Sequence, residues 1–377
     1  MELTYAANVD LGIEGADTRH LFAVTDRLCA RGHRVTLFVP RLRPYRYPTP
    51  VAIRPVWTPR LPLLFPVLYQ ATLAAALRRD GGRPAAVYER GMPLSWASGR
   101  FARRRGARYV REVNGIYRDE ARLSGLEPWK VRLLDAFEGA ALRRADRVVV
   151  VTDAIGDVLV ARYGVRAERI VTVPNGVDVE RVRPLAAEEC RRALGLQPEG
   201  PYLCFVGTLT PWHGLPELFA ALPAVLAEAK TARLLVVGDG PLRPRLLALS
   251  ERLGLGAAVH FVGAVPRDAV PRWLGAADVG LNLLTPSIVG APLKLLEYLA
   301  AGRPVVSTRA PHFAWVEARG AGILADPEAP AELAEAILSL LRDRARGRAM
   351  GETARRVAET EFSWDRLVPR VEGVCFG

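Results

Sequence analysis

The chain has 377 residues, half of them hydrophobic, and a formal net charge of +12; at roughly 100–200 residues per domain it is long enough for two domains. Its four cysteines, Cys29, Cys190, Cys204 and Cys375, are scattered without C-x-x-C spacing, which excludes a zinc site or disulfide framework and fits a reducing cytoplasm. The charge is uneven, with 29 Lys and Arg against 19 Asp and Glu in residues 1–180, so +10 of the +12 lies in the first half.

Short apolar strands alternate with amphipathic helices along the whole chain, a rhythm that predicts parallel sheets covered by helices on both faces. The amino terminus runs directly into the first predicted strand, Leu3–Tyr5, with no secretion signal ahead of it. Strands follow at Val35–Val39, Val51–Val56, Ala86–Tyr88, Tyr109–Val113, Val148–Val151 and Ile170–Val173. The nearly uncharged run Leu61–Leu77 contains Pro62, Pro66 and Gln70, falls short of the roughly 20 apolar residues of a membrane span, and reads as a loop entering a buried helix. After the turn-rich Pro174-Asn175-Gly176-Val177-Asp178 and a strand-poor stretch to about Pro201, strands are expected at Tyr202–Val206, Leu234–Val237, Val259–Phe261, Val279–Leu283 and Val305–Ser307. The predicted fold is therefore α/β, with two Rossmann-like doubly wound domains facing a cleft. One domain comprises residues 1–178 plus a final helix of about 362–377, and the other residues 179–361.

Several turns sit where chemistry is expected. Gly12 and Gly15 lie between the first strand and a helix capped around Asp17 or Thr18, where backbone N–H groups can approach phosphate. Asp10 and Glu14 on this loop form a carboxylate pair that reads as solvated, and His20 and His33 read as structural. In the second half, Gly207-Thr208 with His213-Gly214, and Gly238-Asp239-Gly240-Pro241, each close a strand and open a helix. The latter lacks the last glycine of a dinucleotide fingerprint, which disfavours a nicotinamide cofactor. The most specific stretch runs from Pro286 to Ser307: a Gly-Pro loop, a short helix with Pro292 in its first turn and Gly302 at its end, then a strand. Lys294 and Glu297 fall on neighbouring positions of that helix, a cation for a diphosphate and a carboxylate for ribose hydroxyls. The arginine cluster Arg100, Arg103, Arg104, Arg105, Arg108 and Arg111 suits an anionic lipid surface or an acidic acceptor, or is a solvated face; no pattern for nucleic-acid binding accompanies it.

The ordered set Gly12/Gly15, Gly32-His33-Arg34-Val35, Ala145–Thr152, Pro174–Asp178, Val237–Pro241, Phe261–Val265, Ala276–Val279 and Lys294–Val306 resembles family 4 glycosyltransferases of the retaining, GT-B type. The resemblance implies transfer of a hexose-type sugar from a nucleoside diphosphate to an acceptor hydroxyl on a lipid-linked glycan, polysaccharide or natural product. It implies a donor site in the second domain: Glu297 on the ribose, backbone near Val265 at the base, and Gly290, Ala291, Pro292 and Leu293 at the diphosphate and sugar. Gly207, Thr208, His213 and Gly238 complete that side, and Gly12 and Gly15 meet the diphosphate from the first domain. Lys294, Glu297 and Asn114 are the expected catalytic residues, and Arg90, Glu112 and Asn114 the acceptor-binding ones.

The chain departs from the family pattern at three places. Val289 stands where the first of two carboxylates eight positions apart is usual, Thr208 and His213 replace an Arg and a Lys, and Arg111–Gly115 contains no histidine. Lys294, one of only three lysines, is the expected replacement cation, and His213 either donates to phosphate or is structural. With no acid-rich metal motif, neither a metal nor another cofactor is expected. The expected partners are the nucleotide sugar, the acceptor and, through the basic first half, a peripheral contact with the inner membrane face. Two other readings stay open: a catalytically degraded homologue acting as a binding partner, and a GT-B sugar-nucleotide epimerase or hydrolase.

Overall fold

The computed structural model describes the whole chain except residues 14, 46, 60–63, 81, 92, 93, 124, 286 and 287, and the side chains of residues 80, 120 and 123. The expectations for Glu14, Leu61–Leu63, Pro286 and Ser287 lie outside the described residues. The chain divides into two compact units, one of Met1–Asn175, Val289–Ala291 and Trp364–Gly377, the other of Gly176–Ile288 and Pro292–Ser363.

The first unit is a seven-stranded parallel sheet of β1 (Glu2–Ala7), β2 (Arg34–Pro40), β3 (Ala52–Val56), β4 (Ala86–Arg90), β5 (Arg108–Val113), β6 (Arg147–Val150) and β7 (Ile170–Thr172), in the order 3-2-1-4-5-6-7. Each predicted strand of this half is present. The inner strands β1, β2, β4, β5 and β6 are largely buried on both faces, as helix-covered parallel sheets require, while the edge strands β3 and β7 are more exposed. One face is packed by α1 (Ala16–Ala30) and the final helix, whose Trp364, Leu367, Val368 and Val371 join Leu3, Tyr5, Leu21 and Phe22 in one core. The other holds Tyr69, Leu73, Leu77, Phe101, Tyr109 and Leu142. Helix α2 (Phe65–Asp80) starts within the apolar run, and among the described residues no helix is long and apolar enough to cross a membrane. Helix α1 begins two to three residues earlier than expected: Gly15 is its cap and no side chain caps it, while Thr18 Oγ1 instead donates to the Ile13 carbonyl at 2.7 Å.

The second unit is a six-stranded parallel sheet of β8 (Tyr202–Val206), β9 (Arg233–Val237), β10 (Val259–Gly263), β11 (Val279–Asn282), β12 (Val305–Thr308) and β13 (Gly322–Ala325), in the order 10-9-8-11-12-13. Strand β13 was not among the predicted elements. It is four residues long and begins with glycine, because a Cβ on Gly322 would sit 2.3 Å from the Val305 carbonyl oxygen of its neighbour. Gly280 in β11 is required for a similar reason: a Cβ there would lie 2.4 Å from Cγ of the fully buried Tyr298, whose hydroxyl accepts from the Val206 N–H at 2.8 Å. The strand order reverses between β8 and β11, the switch point at which open α/β sheets bind ligands beyond their carboxyl ends.

Candidate functional site

At this switch point the loops after β8 and β11 are tied together. The Thr285 N–H donates to the Trp212 carbonyl at 2.9 Å, and Gly214, at φ +56°, brings its Cα against Leu283. Helix α11 (Leu293–Ala300) starts nearby with Pro292 as its cap rather than within its first turn, and the left-handed Gly302 follows its end.

Lys294 lies in the first turn of α11. Its side chain passes Gly207 and places Nζ 4.3 Å from the centre of the Phe205 ring, so the ammonium faces a π cloud. The residue is 6% exposed, and Nζ is buried without a hydrogen-bond partner among the described residues. Burial holds its pKa well below that of an ordinary lysine. Desolvation of the ammonium, which one ring contact offsets only in part, is the cause of that depression. Glu297, one turn along the same helix, is 7% exposed. The helix therefore presents a cation and a carboxylate from a largely buried face.

His213 packs edge-on against the same Phe205 ring, with centroids 5.6 Å apart. Its Nδ1 lies 2.6 Å from the Thr208 carbonyl and 2.9 Å from Thr210 Oγ1. The carbonyl can only accept, so Nδ1 carries the proton. Burial, reinforced by Lys294, pushes the His213 pKa down to about 3, leaving a neutral imidazole.

The glycine turns of this unit are used differently from the expected phosphate cradle. Gly238, at φ +136°, lies so close to Gly207 that a Cβ would be 2.0 Å from its carbonyl oxygen, and a Cβ on Gly240 would be 2.6 Å from Leu209 N. The N–H groups of Gly207, Leu209 and Gly238 donate to Val237, Asp239 and Gly263 carbonyls, respectively. These glycines allow two loops to interlock, and those N–H groups are committed. Val265, half-buried, follows β10 beyond Gly263.

In the first unit, Gly12 donates to Asp10 Oδ1 at 3.0 Å and Gly15 to the Ile13 carbonyl at 3.0 Å, so these N–H groups also serve their own turn. Arg90 and Glu112, expected at the acceptor, are both buried; Arg90 Nε is 3.3 Å from Glu112 Oε1, and the Arg90 guanidinium also donates to Asp17. Asn114, beyond the end of β5, has a buried Oδ1 with no hydrogen-bond partner among the described residues. Gly290 and Ala291 belong to this unit, with Gly290 in an antiparallel bridge to Gly115 and open space beside its Cα. The arginine cluster separates: Arg111 is buried against Glu89 and Glu138, Arg108 donates to the Val374 and Gly377 carbonyls, and Arg105 lies over Phe101. Arg100, Arg103 and Arg104 remain exposed.

Sequence reasoning missed Phe205, which no motif marks, and the partners of His20, which come from distant elements. A family model described as Glycosyltransferase Family 4 matches residues 18–181, and one described as Glycosyl transferases group 1 matches residues 200–343. The D-inositol 3-phosphate glycosyltransferase 1 of Catenulispora acidiphila is 32% identical over 295 residues, covering 74% of this chain and 70% of that protein. A GDP-mannose-dependent alpha-(1-6)-phosphatidylinositol monomannoside mannosyltransferase of Mycobacterium tuberculosis is 32% identical over 212 residues, 53% of this chain and 54% of its own length. The chain spans about half the length of the first curated relatives it matches, 51–55%. Among solved structures, sucrose-phosphate synthase from Thermosynechococcus elongatus superposes with a TM-score of 0.82 at 20% identity, over 99% of this chain and 98% of that one, a likeness of fold.

Proposed function

Because the chain belongs to glycosyltransferase family 4, we propose that it moves a hexose-type sugar from a nucleoside diphosphate to an acceptor hydroxyl, with retention at the anomeric carbon. The observation that carries this reading is the buried Lys294 amine at the strand-order switch point, without a hydrogen-bond partner among the described residues and one helical turn from Glu297. An entering diphosphate supplies the anion that Lys294 lacks, and Glu297 accepts from the ribose hydroxyls. Backbone near Val265 meets the base, and residues 290–293 meet the diphosphate and sugar. Thr208 and His213 border the phosphates.

Retention needs no enzymic nucleophile in this scheme, since the departing diphosphate itself accepts the acceptor's proton on the same face. The protein then orients the two substrates and stabilises the departing charge, chiefly through Lys294. Such a scheme accommodates Val289, where a carboxylate was expected. Asn114, with its unsatisfied Oδ1, is the acceptor-side residue of choice. The excess positive charge of residues 1–180 supports an anionic acceptor or a peripheral contact with the inner membrane face.

A thermal-shift screen with UDP, GDP, ADP and dTDP sugars tests the reading, because a ligand that binds only the folded state raises the melting temperature. One nucleotide series is expected to stabilise the protein, and Lys294→Met is expected to abolish that shift. A flat response to all four refutes the donor site.

A further inference from the structure

Glu112, at the carboxyl end of β5, lies in a buried polar chain that the proposed reaction does not use. Its side chain is 1% exposed and is surrounded by donors: Tyr88 Oη at 2.7 Å, Tyr5 Oη at 3.4 Å, Arg90 Nε at 3.3 Å and His20 Nε2 at 2.9 Å. Burial alone would raise its pKa, but His20 and Arg90 outweigh that and hold the carboxyl well below the usual range. Glu112 is therefore ionised, with acceptor capacity only.

The second ring nitrogen of His20, Nδ1, lies 3.0 Å from Asn175 Oδ1. The orientation of that amide is dictated by its other end, because Asn175 Nδ2 donates at 2.6 Å to the Ala291 carbonyl, which can only accept. Oδ1 must then face His20. His20 Nδ1 therefore carries a proton and donates it to Asn175 Oδ1, while Nε2 lies 2.9 Å from Glu112 Oε1. The His20 ring is 4% exposed and set edge-on against Trp364 at 5.0 Å.

We propose that His20 and Asn175 are positioning residues for the Gly290–Ala291 segment, the His20 Nδ1–H orienting the Asn175 amide so that its N–H holds the Ala291 carbonyl. Gly290 is the neighbour in the chain, bridged to Gly115, with no atom within 4 Å of where a Cβ would be. The segment is consequently tied down at Ala291 while space is kept at Gly290. What it positions, the diphosphate and sugar of the donor, rests on the proposed function.

Asn175→Asp separates positioning from simple core filling. The carboxylate is isosteric and remains a good acceptor for the His20 Nδ1–H, but it cannot donate to the Ala291 carbonyl and places a second acceptor against it. The expected result is a folded protein whose donor KM rises on the order of tenfold or more, the equivalent of one lost hydrogen bond and one unsatisfied carbonyl, with acceptor KM unchanged. Amide hydrogen exchange at Gly290 and Ala291 should accelerate in the same variant. In the wild type, nitrogen-15 spectra of His20 should show a protonated Nδ1. Wild-type donor KM together with unchanged exchange in Asn175→Asp overturns the proposal, as does a His20 whose Nδ1 carries no proton. If the wild type neither binds nor turns over any nucleotide sugar, the donor reading fails instead, while the exchange and nitrogen-15 measurements still decide whether this chain of bonds positions the segment.

Discussion

Replacing Lys294 with methionine is expected to change stability and ligand affinity in opposite directions. Methionine preserves most of the apolar stem beside Gly207 and Phe205 but removes a buried Nζ that has no hydrogen-bond partner among the described residues. Leaving a buried polar group unsatisfied costs about 1–3 kcal/mol, and more when it is charged, so the unliganded variant should be more stable than the wild type by at least about 1 kcal/mol. For a unit of this size, each kcal/mol moves the melting temperature by roughly 2–4 °C. The variant also loses a charge-assisted hydrogen bond to the diphosphate, about 1.5–3 kcal/mol, which weakens nucleotide binding roughly 10- to 150-fold. Differential scanning fluorimetry of the empty proteins and calorimetric titration with nucleoside diphosphates measure the two effects. The pH dependence has a defined sign. Because burial depresses the pKa of Lys294 in the folded state, the unfolded chain binds more protons between that depressed value and about 10.5, and wild-type stability gains with rising pH across this window. The variant lacks that gain, so its advantage should shrink toward alkaline pH. A destabilised variant with wild-type nucleotide affinity would show that Lys294 is a packing residue and would refute the argument.

Glu297→Ala should weaken nucleoside diphosphate binding by about 1.5–3 kcal/mol while leaving inorganic pyrophosphate binding unchanged; equal loss of both in titrations would remove the ribose role. His213 has a pKa of about 3, against 6.5 in the unfolded chain, so the unfolded state binds the extra proton between these values. Stability of the empty protein should therefore fall as pH drops from about 6.5 toward 3, and His213→Gln should remove part of that fall in a melting series; coincident profiles would count against a buried neutral imidazole. Gly280→Ala should destabilise by about 1–3 kcal/mol through the clash with the Tyr298 ring, measured as a lowered melting temperature, and a neutral effect would mean that the ring can shift.

The elements legible from sequence are those whose signal is local. Strands such as Tyr202–Val206 and Val148–Val150 announce themselves as apolar runs because helix-covered parallel strands are buried on both faces. Lys294 and Glu297 could be paired in advance because one helix sets their spacing. Strand β13 could not be recognised, since Gly322 is explained only by the nearby Val305 carbonyl. Glycine turns that looked ready for phosphate proved to spend N–H groups on a neighbouring loop, as Gly207 does on Val237. A turn's sequence shows which conformations it allows, but not where its hydrogen bonds go.

The amino-acid order alone was enough for the doubly wound architecture, the family resemblance and the donor helix from Pro292 to Glu297, all consequences of short-range periodicity and turn chemistry. Protonation and availability had to come from the folded protein. Among the described residues Lys294 Nζ lacks a hydrogen-bond partner, and His213 is neutral, because of surroundings supplied by other strands and helices. Likewise Glu112 and Arg90, two of the expected acceptor-binding residues, are buried against each other, and Glu112 also against His20. Burial and pairing depend on distances across the fold, and residue spacing along the chain does not encode them.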